Sequence, residues 1–427
     1  MRRHLASRVF GRMGSWGLKP NQRLRWRKAG VVYMAVWIGL LAAGLHQQAN
    51  LILLIAGMAA GPIVASFLVS AAMLRKIRVT RRGPAFVFSG EPLIIDYTLE
   101  NFRRSTSVLA LGVEDVLAPV DRTVPGGVPV LPRLTFDRVA PGAKGRLRWA
   151  GPTPNRGRYR FTTMELVTGS PFGLIERRVV VTEPSEILIY PRIGHLARRW
   201  NQLHREATQT KKGRRHDRTA QQQEYHGLRE YRAGDSPRWI HWRTTARIGK
   251  PMVKEFEQQN DQDLAILLDP WLPRTKVTPE QRETLEAAIR FAATVCVESC
   301  RQAGRRILLG WTGATPGVRQ GPASAKLLHE LLEQLAVMRP APEGQMSVLL
   351  DALPPACLRE AMLVMISTRP VNLADEAERS SRLSGGASRG IAGRVLLLDA
   401  SQGDLTDLIH FDEHNRIAAS RRAEVVE

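Results

Sequence analysis

Residues 51–74 read Leu-Ile-Leu-Leu-Ile-Ala-Gly-Met-Ala-Ala-Gly-Pro-Ile-Val-Ala-Ser-Phe-Leu-Val-Ser-Ala-Ala-Met-Leu, twenty-four positions without a charged side chain. As a helix rising about 1.5 Å per residue, that run is long enough to cross a hydrocarbon core about 30 Å thick. A second apolar run, Val31–Leu45, lies just upstream. It reaches seventeen residues only when Ala29 and Gly30 are included, the short limit for a span. His46-Gln47-Gln48-Ala49-Asn50 separates the two, so residues 31–74 have the shape of a transmembrane helical hairpin. The alternative is a buried hairpin in a soluble protein. A cleaved signal peptide fits poorly, because the apolar run begins late and a longer one follows. Pro62 predicts a kink in the second helix, and Trp26, Tyr33 and Trp37 suit an interfacial belt.

Basic residues flank both outer ends: Arg23, Arg25, Arg27 and Lys28 before, Arg75, Lys76, Arg78, Arg81 and Arg82 after. The positive-inside bias then puts both ends in the cytoplasm, the short loop outside, and the soluble body at the cytoplasmic face of the cell membrane. The same flanks explain much of the net charge of +22. Residues 1–30 form a basic N-terminal segment with nine Lys/Arg and no acid, and residues 75–82 carry five and none. Residues 198–218 hold eight bases and two acids, and residues 229–254 seven and two. Together these stretches exceed the whole chain's excess, so the remainder is slightly acidic. Much of the positive charge is therefore a topology signal rather than a nucleic-acid footprint. Cys296, Cys300 and Cys357 cannot make a disulfide framework.

Length alone allows two cores plus an anchor. Residues 83–191 show short alternating stretches, Leu93–Leu99 and Val179–Val181, and the apolar run Ile187–Tyr190. Turn residues recur at Ser89-Gly90, Pro125-Gly126-Gly127, Pro141-Gly142, Asn155-Arg156-Gly157 and Ser170-Pro171, which predicts a small β-sandwich-like domain. Residues 195–223 are basic and poor in apolar side chains, the composition of a mobile or partly helical linker.

Residues 224–260 mix acids, arginines and aromatics around a Gly-Asp turn. Arg229, Arg238 and Arg247 can form bidentate pairs with Glu230, Asp235 or Glu255 and stack on Tyr231, Trp239 or Trp242. Such a network is either an anion or partner-protein site or an internal brace of salt bridges. His241 beside Trp242 is the one group worth testing as an acid–base. A neutral hydrogen-bonding role competes with that reading.

Residues 261–415 alternate strands and helices. Leu264–Leu268 is a buried-strand run ending at Asp269, and Thr278-Pro279 with Gln281 forms a capping box. A helix then places Leu285, Ile289, Ala292 and Cys296 on one face and stops by Gly304. Strands at 307–311, 362–367 and 394–398 and a helix at about 323–338 complete a parallel sheet covered on both sides. Cys296 and Cys300 have helical spacing but no neighbouring ligand partner, so they read as core. The chain lacks a glycine-rich phosphate loop, a Gly-x-Ser-x-Gly elbow and a His-Glu-x-x-His helix. No catalytic residue and no cofactor are expected.

The stretch Gly227-Leu228-Arg229-Glu230-Tyr231, Gly234-Asp235, Arg238, Ile240, Trp242, Ala246-Arg247 and Lys254-Glu255-Phe256-Glu257 resembles the signature of the domain-of-unknown-function 58 family. Phe88–Glu91, Arg156–Tyr159, Pro171–Leu174 and Tyr190-Pro191 fit its members too, so the resemblance covers about residues 30–310. Many members have Asp where this chain has His241. The resemblance implies a von Willebrand factor A-like fold for residues 261–415. Such domains often hold a divalent ion in an Asp-x-Ser-x-Ser loop. Here the loop is Asp269-Pro270-Trp271-Leu272-Pro273, a degenerate site in which Asp269 is expected to cap a turn and no metal is expected. The family also implies an interaction or assembly role beside a MoxR-type AAA+ ATPase. The other function class is nucleic-acid or anionic-lipid binding through the basic linker and signature arginines. The site residues common to these readings are Arg229, Glu230, Tyr231, Asp235, Arg238, His241, Trp242 and Arg247.

Overall fold

A computed structural model describes residues 22–121, 127–212, 224–231, 240–257, 263–302, 304–343, 346–354, 357, 361–379 and 395–411. The chain divides into two compact units, with the break between Ile189 and Tyr190.

The first unit opens with a short strand, β1 (Gln22–Trp26), and the two apolar helices α1 (Lys28–His46) and α2 (Asn50–Met73). Both helices are long and apolar enough to cross a membrane. Their outward faces are exposed, as at Val32, Leu54, Met58 and Val64. The hairpin is tied by side chains that donate to backbone carbonyls: Tyr33 Oη to Ala59 O at 3.0 Å and Trp37 Nε1 to Ala56 O at 2.9 Å. Tyr33 and Trp37 therefore join the helices, whereas the sequence pattern had suited them to an interfacial belt. Pro62 lies inside α2.

Nine more strands follow: β2 (Ile77–Arg82), β3 (Phe86–Phe88), β4 (Pro92–Asn101), β5 (Val108–Pro119), β6 (Arg133–Val139), β7 (Lys144–Pro152), β8 (Gly157–Thr168), β9 (Ile175–Val181) and β10 (Ser185–Tyr190). A seven-stranded sheet runs β1-β9-β8-β10-β3, with β5 pairing both β8 and β6, and a three-stranded sheet runs β2-β4-β7. Alternate residues of a strand face one side. Leu93, Ile95, Tyr97 and Leu99 of β4 accordingly meet Leu111, Val113 and Leu117 of β5 and Phe161 and Met164 of β8 in one core. The sheets begin earlier than residue 83, because β2 pairs with β4. Even the basic stretch before α1 is structured: Gln22–Trp26 lies antiparallel to Ile175–Val179 as an edge strand. Its alternation of Arg23, Arg25 and Arg27 with Leu24 and Trp26 carries a strand pattern beneath the charge.

The second unit holds β11 (His195–Leu196), α3 (Arg198–Lys212), β12 (Glu224–Glu230), α4 (Trp242–Ile248), β13 (Met252–Glu257), β14 (Leu264–Asp269), α5 (Pro279–Cys300), β15 (Arg306–Trp311), β16 (Gly317–Pro322), α6 (Ala325–Val337), α7 (Met346–Ala352), β17 (Met362–Ser367), α8 (Leu373–Arg379), β18 (Val395–Asp399) and β19 (Ile409–His410). The expected linker, read as mobile or partly helical, is helical over Arg198–Lys212, and 213–223 lie outside the described residues. Trp200 of α3 is buried and meets the Phe291 ring edge-on at 5.3 Å. One aromatic anchor suffices where the surrounding composition is polar.

The five-stranded sheet has the order β16-β15-β14-β17-β18. The four strands predicted from sequence are parallel, while the unforeseen edge strand β16 is antiparallel to β15. Ala265, Leu267, Leu308, Leu363 and Met365 pack on one face against Met346, Leu349 and Leu350 of α7. The capping box of α5 is present, with Gln281 N donating to Thr278 Oγ1 and Thr278 N to Gln281 Oε1. Leu285, Ile289, Ala292 and Cys296 are fully buried, and burial pushes the Cys296 thiol far above its ordinary range.

Candidate functional site

The signature segment folds as a β-ribbon carrying a short helix. Strands β12 and β13 pair antiparallel, Leu228 opposite Lys254 and Glu230 opposite Met252, with an irregularity between Tyr225 and Gly227. Tyr231 N donates to Pro251 O and His241 N to Met252 O, so the ribbon extends to the start of α4. His241 is the N-cap: its Nδ1 accepts from Thr244 N at 3.3 Å and lies 2.8 Å from Thr244 Oγ1. At the other end Gly249 takes the left-handed conformation with φ of 73°, which spares a side chain the usual strain, and its N–H bonds Thr245 O. Thr245 Oγ1 also accepts from Met252 N. The ring nitrogen of His241 nearest the helix is therefore engaged in capping.

The predicted arginine network is only partly described. Asp235, Arg238 and Trp239 lie outside the described residues. Glu230 pairs with Lys250 at 3.0 Å rather than with an arginine, and Arg229 Nη1 donates to Glu230 O at 3.2 Å. Helix α4 buries none of its residues. Trp242 is 66% exposed, and Arg243, Ala246 and Arg247 are exposed with it. Arg229 and His241 are half-buried, and Tyr231 is exposed. The segment thus presents an indole and two guanidinium groups outward from a helix tied to β13 by the Met252 N–Thr245 Oγ1 bond.

A second constellation lies at the C-terminal edge of the parallel strands. Asp269, Ser367 and Asp399 are in register across β14, β17 and β18, and all three are buried. Asp269 accepts from Thr312 Oγ1 at 2.5 Å and from Arg369 Nε at 3.1 Å. It does not cap the next turn with its side chain. Thr368 does that work, accepting from Trp271 N and donating to Trp271 O, both at 2.8 Å. The Arg369 guanidinium also faces Glu376 at 3.7 Å, and Glu376 takes Arg379 at 3.0 Å and Ser347 N at 3.2 Å. Asp399 is occupied by Ser401 and Gln402.

A hard divalent cation needs several oxygen ligands free to turn toward it. Here Asp269 and Glu376 already face a guanidinium, Asp399 closes its own turn, and the Asp269 loop offers no hydroxyl at 271 or 273. The donor set does not fit a divalent ion, and Arg369 supplies the positive charge at that edge. The Asp269 loop showed that the hydroxyl ligands were missing, but not that Arg369 pairs with Asp269.

Residues 227–418 match the family described as "Protein of unknown function DUF58". The match takes in the signature segment and the α/β region; Phe88–Glu91, Arg156–Tyr159 and Pro171–Leu174 lie outside it. A curated relative, "Uncharacterized protein YeaD" of Bacillus subtilis (strain 168), is 27% identical over 119 residues, 27% of this chain. The chain spans only 28% of that relative's length. Among solved structures, the CARDB domain of a Pyrococcus furiosus protein is 14% identical with a TM-score of 0.19, covering 26% of this chain and 86% of that one. A superoxide reductase from Ignicoccus hospitalis is 12% identical with a TM-score of 0.18, covering 26% and 79%.

Proposed function

From the premise that residues 227–418 are a DUF58 region, we propose that this chain is a membrane-tethered interaction or assembly protein. Its signature ribbon and helix α4 dock an acidic surface of a partner protein, and the partner the family resemblance implies is a MoxR-type AAA+ ATPase. The observation that carries this is the exposure of Trp242 beside Arg243 and Arg247 on a helix with no buried residue. An exposed indole flanked by arginines is the composition of a protein-interface hot spot, and an internal brace would bury it.

The finer architecture belongs to the same proposal. The two sheets sharing one core in the first unit act as a β-sandwich. The five-stranded sheet of the second acts as a von Willebrand factor A-like scaffold, with Arg369 in place of the ion. Basic residues at both outer ends of the hairpin favour a cytoplasmic body.

The test is affinity capture of a purified MoxR-type ATPase by the full chain in detergent, with Trp242→Ala and Arg247→Glu as variants. Capture is expected with the wild type. Each variant is expected to weaken it at least tenfold, matching the ~1.4 kcal/mol or more that an anchor residue contributes. Equal capture by all three proteins, or none by the wild type, would reject the assignment.

A further inference from the structure

Two loops of the first unit lie at the feet of the apolar helices. At the end of α2, Arg103 donates to the carbonyls of Met73 and Arg75, and Phe102 N donates to Lys76 O at 2.9 Å. At the start of α1, Arg27 N donates to Leu174 O at 3.2 Å, and a Cβ on Gly30 would overlap that same carbonyl oxygen. The loops 101–106 and 169–174 are therefore held against the same end of the hairpin.

Each loop presents a phenylalanine outward, Phe102 50% and Phe172 57% exposed. Trp26, at the strand end that leads into α1, is 39% exposed. Near Phe102, Arg104, Arg75 and Lys76 are exposed, and Arg103, Lys144 and Glu100 line the groove beside it, Lys144 paired with Glu100 at 2.5 Å. Arg177 sits over the Phe67 ring of α2 at 5.3 Å.

Lengths place these groups. Helix α2 has 24 residues, about 36 Å at the helical rise, which exceeds a hydrocarbon core of about 30 Å by roughly four residues. When the polar loop at 46–49 sits at the far surface, the surplus turn Ser70–Met73 falls at the near headgroup level. That is the turn whose last carbonyl Arg103 holds. Exposed aromatics with adjacent arginines at that depth match the interfacial preferences of side chains and the attraction of basic groups to anionic lipid.

We propose that the base of the β-sheet unit is a lipid-binding face. Phe102 and Phe172 insert into the boundary between headgroups and acyl chains, and Arg75, Lys76 and Arg104 bind anionic phospholipid headgroups. The sheet unit is thus seated on the bilayer at two points beside its helices rather than hung from them. This rests on the reading of α1 and α2 as membrane spans.

The test reads both claims separately. The full chain, with Cys300→Ala and Cys357→Ser, is reconstituted in phosphatidylcholine–phosphatidylglycerol vesicles. Single spin labels are placed at Val64→Cys, Phe102→Cys, Phe172→Cys or Phe86→Cys. Phe86 serves as the distant control. Leu188, opposite Arg158, donates its N–H to the carbonyl of Ala85, the residue before Phe86, and Arg158 is ten residues along β8 from Thr168, roughly 33 Å at the strand rise. Labels at 64, 102 and 172 are expected to favour collisions with oxygen over a water-soluble nickel complex several-fold more than the label at 86. The labels at 102 and 172 should lie deeper when phosphatidylglycerol is present than in phosphatidylcholine alone. If 64 reads as bilayer while 102 and 172 read as water, the lipid-binding face is overturned and the spans stand. If 64 reads as water, both fall. Equal depth in the two lipid mixtures overturns the headgroup assignment.

Discussion

Asp115 shows how one residue can organise a sheet core. Its carboxylate is fully buried and accepts from Arg81 Nη1 at 2.7 Å, Tyr97 Oη at 2.9 Å and Val116 N at 2.9 Å. The Arg81 guanidinium also lies over the Phe161 ring at 3.8 Å, and only 4% of its side chain is exposed. Burial, then the charge of Asp115, pushes the Tyr97 phenol far above its ordinary range. Removing one partner of such a pair leaves an uncompensated buried charge, so Asp115→Ala should cost about 3–5 kcal/mol, read as a lower urea midpoint. The charge of Arg81 had been counted with the basic flank of the hairpin. Its phase told otherwise: Ile77, Val79 and Arg81 share one face of β2, and Val79 is buried. Arg369 repeats the lesson at the edge of the parallel sheet. Arg369→Ala should also destabilise the protein, by about 2–4 kcal/mol since the arginine is partly exposed. Calorimetric scans of the wild type and the variant check this.

Among the elements, those with an apolar period or a capping motif were legible and those built on charge were not. The four parallel strands and helix α5 could be read because Leu264–Leu268 is continuous and Thr278 with Gln281 fixes the first turn. Strand β16 could not, because Gly-Val-Arg-Gln-Gly-Pro at 317–322 has neither period nor β-branched run and sits at an edge where half its surface is wet. Helix α4 was hidden for a related reason: it is held by the His241 cap and by the Thr245 hydroxyl accepting from Met252 N, and none of its residues is buried. Strand β1 was masked by its arginines, and Arg27, just past its end, secures it. Arg27 Nε reaches Glu176 at 2.9 Å, and Arg178 reaches the same carboxylate at 2.7 Å. Burial pushes the Glu176 carboxyl upward, but hydrogen bonds from Arg178 and Arg27 outweigh it and hold the group below its ordinary value of 4.5. A depressed folded value means stabilisation that is fully present above about 4.5 and is lost as pH falls through the folded value. Thermal unfolding of the wild type and Glu176→Gln should therefore differ by a constant amount at neutral pH and converge in acid below about 4.5. A gap that persists undiminished to pH 2 would remove the ion-pair explanation.

For the whole molecule, the proposed membrane anchoring leaves one question that orders the rest: which side of the membrane holds each unit. On that proposal the hairpin places its ends on one side; the sheets begin immediately at both ends, with β1 before α1 and β2 after α2. The basic residues there have structural partners in some cases, Arg27 with Glu176 and Arg81 with Asp115, so they do not act on topology alone. Enough remain exposed, including Arg23, Arg25, Arg75, Lys76 and Arg78, for the positive-inside bias to operate on charges within a few residues of each span. The expected outcome is asymmetric labelling in intact cells of a chain carrying Cys300→Ser and Cys357→Ser. Gln48→Cys, in the loop between the helices, should react with a membrane-impermeant maleimide applied from outside. Arg104→Cys and Lys326→Cys, one in each unit and both at exposed positions, should react only after permeabilisation. Lys326 is chosen because its side chain is 89% exposed, so a failure to react cannot come from burial. The reverse pattern would place Trp242, Arg243 and Arg247 outside the cytoplasm, out of reach of an ATPase that depends on cytoplasmic ATP. The docking proposal would fall with it, while the seating of the sheet unit on lipid would survive on the other leaflet.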